Sequence, residues 1–248
     1  MLSFYSAKDS PSKKSSKHPE RTSKQIKGTV VGASILCFSI DPVFKRIYFL
    51  LGKERHNYRW PAGSSKWSDF GGGVAPGDTC EEQTAAREFV EETLGVVKYG
   101  ENFQVPITSP TEIAEELKEG KYLFKILHGN KFRKFVMFVK QIPWDPDCTV
   151  RFSEYRSLLT RPRDMDPSPN PHIDSHPAIA GRTSVKKEYL EKKMLGFFSV
   201  PQLRYAVDHD GVILNRNGYV EHCRKSFIES LEIVLSEISF IAPGILDE

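Results

Sequence analysis

Glu88, Glu91 and Glu92 stand at i, i+3 and i+4, and Glu81 lies two helical turns before Glu88. On a helix this spacing projects the carboxylates from one face. Like charges so placed repel by a few tenths of a kcal/mol per pair, and the single cation among them, Arg87, can reach Glu91 but cannot neutralise three. A hard divalent cation can, because Mg²⁺ takes oxygen ligands and binds through carboxylates together with substrate phosphates. Directly ahead lies Gly71-Gly72-Gly73-Val74-Ala75-Pro76-Gly77-Asp78, a run whose glycines permit unusual φ angles and close backbone approach. Thr79 with Glu82 has the form of a capping box and marks a helix start, and Ala85, Ala86, Phe89 and Val90 supply the apolar face. An isolated acidic helix face is commonly just solvated; a glycine loop joined to it points instead to metal and phosphate chemistry.

The segment Gly72 to Gly95 resembles the Nudix box: a glycine, five residues, Glu, seven residues, Arg-Glu, a bulky apolar residue, one residue, Glu-Glu, one residue and Gly. Arg87-Glu88-Phe89-Val90-Glu91-Glu92 matches its core without a gap. Asp78 stands where the family has Glu, one residue too far from Arg87, and one extra residue separates Glu92 from Gly95. These departures touch the role of Asp78 and leave the Glu trio whole. The resemblance implies an α/β fold, an α/β/α sandwich with a mixed sheet, covering roughly 30–240.

It also implies a mechanism. Glu88, Glu91 and Glu92 would hold Mg²⁺ or Mn²⁺, Arg87 would orient Glu91 or Asp78, and Gly72, Gly73 and Asp78 would shape the phosphate loop. Water would attack phosphorus in the diphosphate linkage of a nucleoside diphosphate derivative. The general base varies in the family; a box Glu, or Glu188 or Glu191 ahead of a late strand, are candidates as base or extra ligand, and His128, His172 and His176 are further bases. Tyr58, Trp60 and Trp67, before the box, could stack on a base, although such residues more often fill core or loop packing. Three readings stay open: a hydrolase whose substrate includes the 5′ cap of mRNA, a pyrophosphatase of small nucleotides or dinucleoside polyphosphates, and a catalytically weak module that binds RNA or protein.

The elements needed to position these groups can be read along the chain. Thr29–Ile40 is apolar and β-branched, Asp41-Pro42 is a turn, and 46–52 is the returning strand. Residues 53–67 are a loop, 70–78 the glycine loop, and a helix runs to about Leu94. A short helix is expected around 112–118, then strands at 122–127 and 132–142 with Gly129-Asn130 near the turn. Residues 143–185 hold seven prolines and read as a long inserted loop with a helical turn at 152–159. A late strand ends at Val200, Ser199-Val200-Pro201-Gln202 starts a helix, and 219–239 carries Phe227, Ile228, Leu231, Val234, Leu235 and Ile238 on one face of a C-terminal helix.

Of the 248 residues, 39% are hydrophobic and 27% charged, enough to form a core in a 28–248 domain. The net charge of +3 is unevenly spread: residues 1–28 carry seven Lys or Arg against two acids. With its Ser- and Lys-rich composition, 1–27 reads as a disordered basic tail, serving either as an arm for RNA or as a solvated or nuclear-targeting segment. Arg151, Arg156, Arg161 and Arg163 would add to a polyanion surface. Cys37, Cys80, Cys148 and Cys223 form no CxxC pair, which suits free thiols in a reducing compartment. The absence of an apolar leader or spanning run makes a cytoplasmic or nuclear protein the expectation, without membrane contact.

Overall fold

The computed structural model describes residues 29–59, 61–99, 109–130, 132–160, 185–214 and 218–241. The basic tail, Trp60, Arg161, Arg163, His172 and His176 lie outside the described residues. β1 (Thr29–Ile40) and β2 (Ile47–Glu54) form the expected hairpin, pairing Cys37–Ile40 with Ile47–Leu50. Asp41 closes its turn, its carboxylate accepting the Val43 N–H at 2.8 Å. β1 and β2 then splay, and one segment fills the gap: β3 (Trp67–Ser68) pairs with β2, and β4 (Phe70–Gly73) pairs with β1. The opposite edge of β1 runs parallel to β6 (Arg133–Gln141), which pairs antiparallel with β5 (Phe124–Gly129). β7 (Lys192–Ser199) completes the mixed seven-stranded sheet on the outer edge of β2.

Helices cover both faces. On one lie α1 (Glu81–Thr93), α2 (Pro110–Lys118) and α3 (Cys148–Thr160); on the other lie α4 (Val200–Asp208) and α5 (Lys225–Ile241). The two-residue period of the strands explains how one sheet serves two cores. Ala33, Ile35 and Cys37 of β1 pack toward α1, whereas Leu36 and Phe38 pack toward α4 and α5; Val136 and Phe138 of β6 divide from Met137 and Val139 in the same way. The architecture is the expected α/β/α sandwich. Among the described residues, no helix is long and apolar enough to cross a membrane.

Four local expectations are corrected. Phe70–Gly73 is a strand, not a loop; none of its glycines has positive φ, and within 70–78 it is Gly77, at φ +108°, that needs glycine's conformational freedom. The cap of α1 is Cys80 rather than Thr79, and Thr79 donates both its N–H and its hydroxyl to Gln83 Oε1, at 2.8 and 2.9 Å. The stretch 143–185 is not a loop throughout: α3 occupies 148–160 and buries Cys148, Phe152 and Leu159, while 161–184 lies outside the described residues. The C-terminal helix begins at Lys225, because Val220–His222 (β9) pairs with Val212–Leu214 (β8) in a second, two-stranded sheet.

Candidate carboxylate site

α1 lies across β4, and the glycines of β4 let it come close. A Cβ on Gly72 would sit 2.5 Å from Glu88 Oε1, so the Glu88 carboxylate rests directly on that backbone. One turn further along, Glu92 Oε2 accepts the Gly71 N–H at 2.8 Å. Helix and strand are therefore joined through the two carboxylates that the spacing placed on one face.

Arg87 organises the outer half of the site. Its Nη1 donates to Glu88 Oε1 at 2.8 Å and to Glu91 Oε2 at 3.0 Å. Its Nη2 donates to the Gly73 carbonyl and to Asp78 Oδ2, both at 2.9 Å. Asp78 also accepts the Ala75 N–H at 2.9 Å and the Thr84 hydroxyl at 3.0 Å, so it ties loop 74–80 to the helix despite its altered spacing. Burial works to raise its pKa, but the hydrogen bonds from Arg87, Ala75 and Thr84 hold it below the usual carboxylate value. Both partners named in the sequence for Arg87, Glu91 and Asp78, are thus engaged, with Glu88 as a third.

Glu92 belongs to an inner, buried half that the sequence did not reveal. Lys192, fully buried on β7, donates to Glu54 Oε1 at 2.6 Å, to Ser68 Oγ at 2.8 Å and to the Asp69 carbonyl at 3.1 Å, and lies 3.3 Å from Glu92 Oε1. A register irregularity between Lys53 and Glu54 brings Glu54 opposite Lys192. Arg224 approaches Glu54 at 3.5 Å from beyond β9. Burial acts to lower the Lys192 pKa, and the pull of Glu92 and then Glu54 raises it above the ordinary lysine value.

Glu188 and Glu191, 96 or more residues beyond Glu92, come to the same place. Glu188 lies in a 3-10 turn (Lys187–Leu190) beside α1, and Glu191 directly follows it. Burial raises the pKa of Glu91 against the effect of Arg87, and Glu188 and Glu191 raise it further. Glu88 is raised by burial, then by Glu91 and Asp78, against Arg87. Glu92 is pushed well up by burial and by Glu54, Glu88 and Glu191, against Lys192. Among the described residues, seven carboxylates (Glu54, Asp78, Glu88, Glu91, Glu92, Glu188 and Glu191) thus face three cations (Arg87, Lys192 and Arg224), an excess of hard oxygen donors. Among the described residues, no three acidic, His or Cys groups converge on one ion position as the side chains stand, since Glu88 and Glu91 point to Arg87.

Other candidates fall elsewhere. Trp67 is buried, packed edge-on against Phe198 at 4.8 Å, and its indole N–H donates to Glu221, so it serves packing. Tyr58 is 90% exposed, with His56 against its ring. His128 sits on β5, whose buried side chains pack toward α5, the face opposite α1, and burial lowers its pKa. Arg151 binds Asp145 and the Val96 carbonyl rather than presenting itself to a polyanion.

No protein-family model and no curated protein matches the chain. Among solved structures it is similar to the NUDIX domain of Shewanella oneidensis NrtR complexed with ADP ribose, at 10% identity over 86% of this chain and 90% of that one, with a TM-score of 0.41. It is similar also to a C. elegans Ap4A hydrolase (11% identity, 86% and 97% coverage, TM-score 0.37) and to a mutT/nudix family protein from Listeria innocua (13%, 85% and 94%, TM-score 0.39).

Proposed function

We propose that the chain is a metal-dependent hydrolase that cleaves the diphosphate linkage of a nucleoside diphosphate derivative. The observation that carries this reading is the joining of α1 to the β4 glycines through Glu88 and Glu92, with a negative excess of carboxylates at the junction. The donor set suits Mg²⁺ or Mn²⁺: the groups are hard oxygens that outnumber the cations among the described residues, and Gly72, with no side chain, cradles the Glu88 carboxylate. Glu88 and Glu91 would hold the ion, with Glu92 as the inner carboxylate and Glu188 or Glu191 as further ligand or base. A bound divalent ion supplies charge neutralisation of the diphosphate and a more acidic water.

The chain's own groups do the rest. Arg87 holds Glu88 and Glu91 side by side and can pass to a substrate phosphate once they turn outward. Loop 74–80, fixed by Asp78, sets the wall against which the phosphates lie. Glu191, its pKa raised by partial burial and then by Glu54 and Glu88, would accept a proton from an attacking water.

The test is a hydrolysis panel with Mg²⁺ and Mn²⁺, comparing wild type with Glu88→Gln and Glu91→Gln. Substrates are capped RNA, free cap dinucleotide, dinucleoside polyphosphates, nucleotide sugars and nucleoside triphosphates. Each substitution should lower metal-dependent turnover by at least about 100-fold. Release of the capped nucleotide from long RNA would add decapping and give residues 1–27 a role, and cleavage confined to small nucleotides would restrict the enzyme to those. Absence of metal-dependent turnover on every substrate would replace hydrolysis with the binding-module reading.

A further inference from the structure

The Lys192 ammonium has the surroundings of a bound cation rather than of an ordinary ion pair. Four oxygens from four residues surround it: two carboxylates, a hydroxyl and a backbone carbonyl, at 2.6 to 3.3 Å. Its stem reaches this position over Gly52, where a Cβ would lie 2.8 Å from Lys192 Cδ and 2.9 Å from the Phe70 ring. One of the four oxygens belongs to Glu92, whose other oxygen holds the Gly71 N–H. The ammonium therefore acts on the β4 glycines and on the register of α1 through one carboxylate.

We propose that Lys192 is a tethered cation and positioning residue: it fills the inner cation position between Glu54 and Glu92, fixes Glu92 on β4, and leaves the outer carboxylates Glu88 and Glu91 for a free divalent ion. This deepens the hydrolase reading by assigning the inner position, but its test does not depend on turnover. Removing a charge from a buried, oxygen-lined position leaves its partners uncompensated. It should also leave a position that another cation can enter, provided there is room.

Two single variants of the full chain separate charge from volume. Lys192→Ala removes the ammonium and opens space; Lys192→Met removes it and keeps the space filled. The measurements are Mn²⁺ stoichiometry by electron paramagnetic resonance and melting temperature with Mn²⁺ or ethylammonium added. We expect Lys192→Ala to bind one Mn²⁺ more per chain than wild type and to regain melting temperature with either cation beyond any wild-type gain. Lys192→Met should bind no extra ion, show no such rescue, and melt roughly 6–20 °C lower than wild type. If Lys192→Ala does not fold, the double variant Lys192→Met/Glu54→Gln decides. It should recover several degrees relative to Lys192→Met, because the ammonium's nearest charge has been removed with it.

Equal stoichiometry and equal lack of rescue in the Ala and Met variants would overturn the proposal, as would a double variant no more stable than Lys192→Met. Lys192 would then be a space-filling residue. Wild type that binds Mn²⁺ without hydrolysing any substrate would fail the hydrolase reading and leave this one standing.

Discussion

Three consecutive glycines carry three different constraints, which separates their roles at the scale of single residues. A Cβ on Gly71 would lie 2.2 Å from Ser34 Cβ and 2.6 Å from the Ala33 carbonyl, inside the central strand β1, which cannot move aside. Gly71→Ala should cost about 3 kcal/mol, the upper end of ordinary overpacking. The nearest atoms to a Cβ on Gly72 all belong to the Glu88 carboxylate, which can swing away. Gly72→Ala should stay within about 1 kcal/mol of wild type yet lose at least about tenfold in metal-dependent turnover. At Gly73 the nearest atom is the Val31 carbonyl at 3.8 Å, so Gly73→Ala should alter neither property. Urea unfolding and turnover on the three variants check this; equal loss of turnover in Gly72→Ala and Gly73→Ala would remove the cradle from the site. The Glu88, Glu91 and Glu92 spacing was legible in the sequence because helical neighbours are three and four apart. Glu54 and Lys192 were not, because 138 positions separate them and only the irregular pairing of β2 with β7 brings them together.

At the scale of elements, α3 shows where reading by composition stops. Cys148, Phe152 and Leu159 recur at helical spacing, but these buried positions are few among 13 residues, Val150 points outward, and the flanking prolines made the region read as a loop. What anchors the helix is partly polar: Asp145 accepts from both Arg151 terminal nitrogens, Arg151 also donates to the Val96 carbonyl at 3.1 Å, and Lys98 lies 3.5 Å from Asp145. Burial works to raise the Asp145 pKa, but Arg151 and then Lys98 hold it below the ordinary value. A carboxylate whose folded pKa is depressed stabilises the fold above its unfolded pKa, about 3.9, and that stability is lost as pH falls through the folded value. Asp145→Asn should therefore cost about 1 kcal/mol at pH 7, a figure kept small because Arg151 and Lys98 are partly solvated. The gap to wild type should narrow as pH drops below about 4. Urea unfolding of both proteins from pH 7 to pH 3 measures this, and a gap that stays constant with pH would mean that Asp145 acts by packing rather than charge.

For the whole molecule, the alternation that made the sheet legible also couples its two cores. Phe89 of α1 packs with Phe70 and Tyr99 on one face, and Leu231 of α5 lies fully buried on the other. Between them, Ile35 and Leu36 are adjacent in β1 and serve opposite faces, so neither core can form without the sheet that the other also needs. Phe89→Ala should cost about 3–5 kcal/mol and Leu231→Ala about 2–5 kcal/mol. Each should lower one shared transition rather than melt its own half, with calorimetric and van't Hoff enthalpies still in agreement. A divalent ion that binds at α1 should raise that same transition by mass action, so its effect should reach tryptophan fluorescence, including that of Trp67 on the α5 face, as fully as it reaches far-ultraviolet circular dichroism. Two resolved transitions, with Mn²⁺ shifting only one, would show that the carboxylate face folds independently of the α4 and α5 face. The tie from Lys192 through Glu92 to β4 would then act within one half of the protein alone.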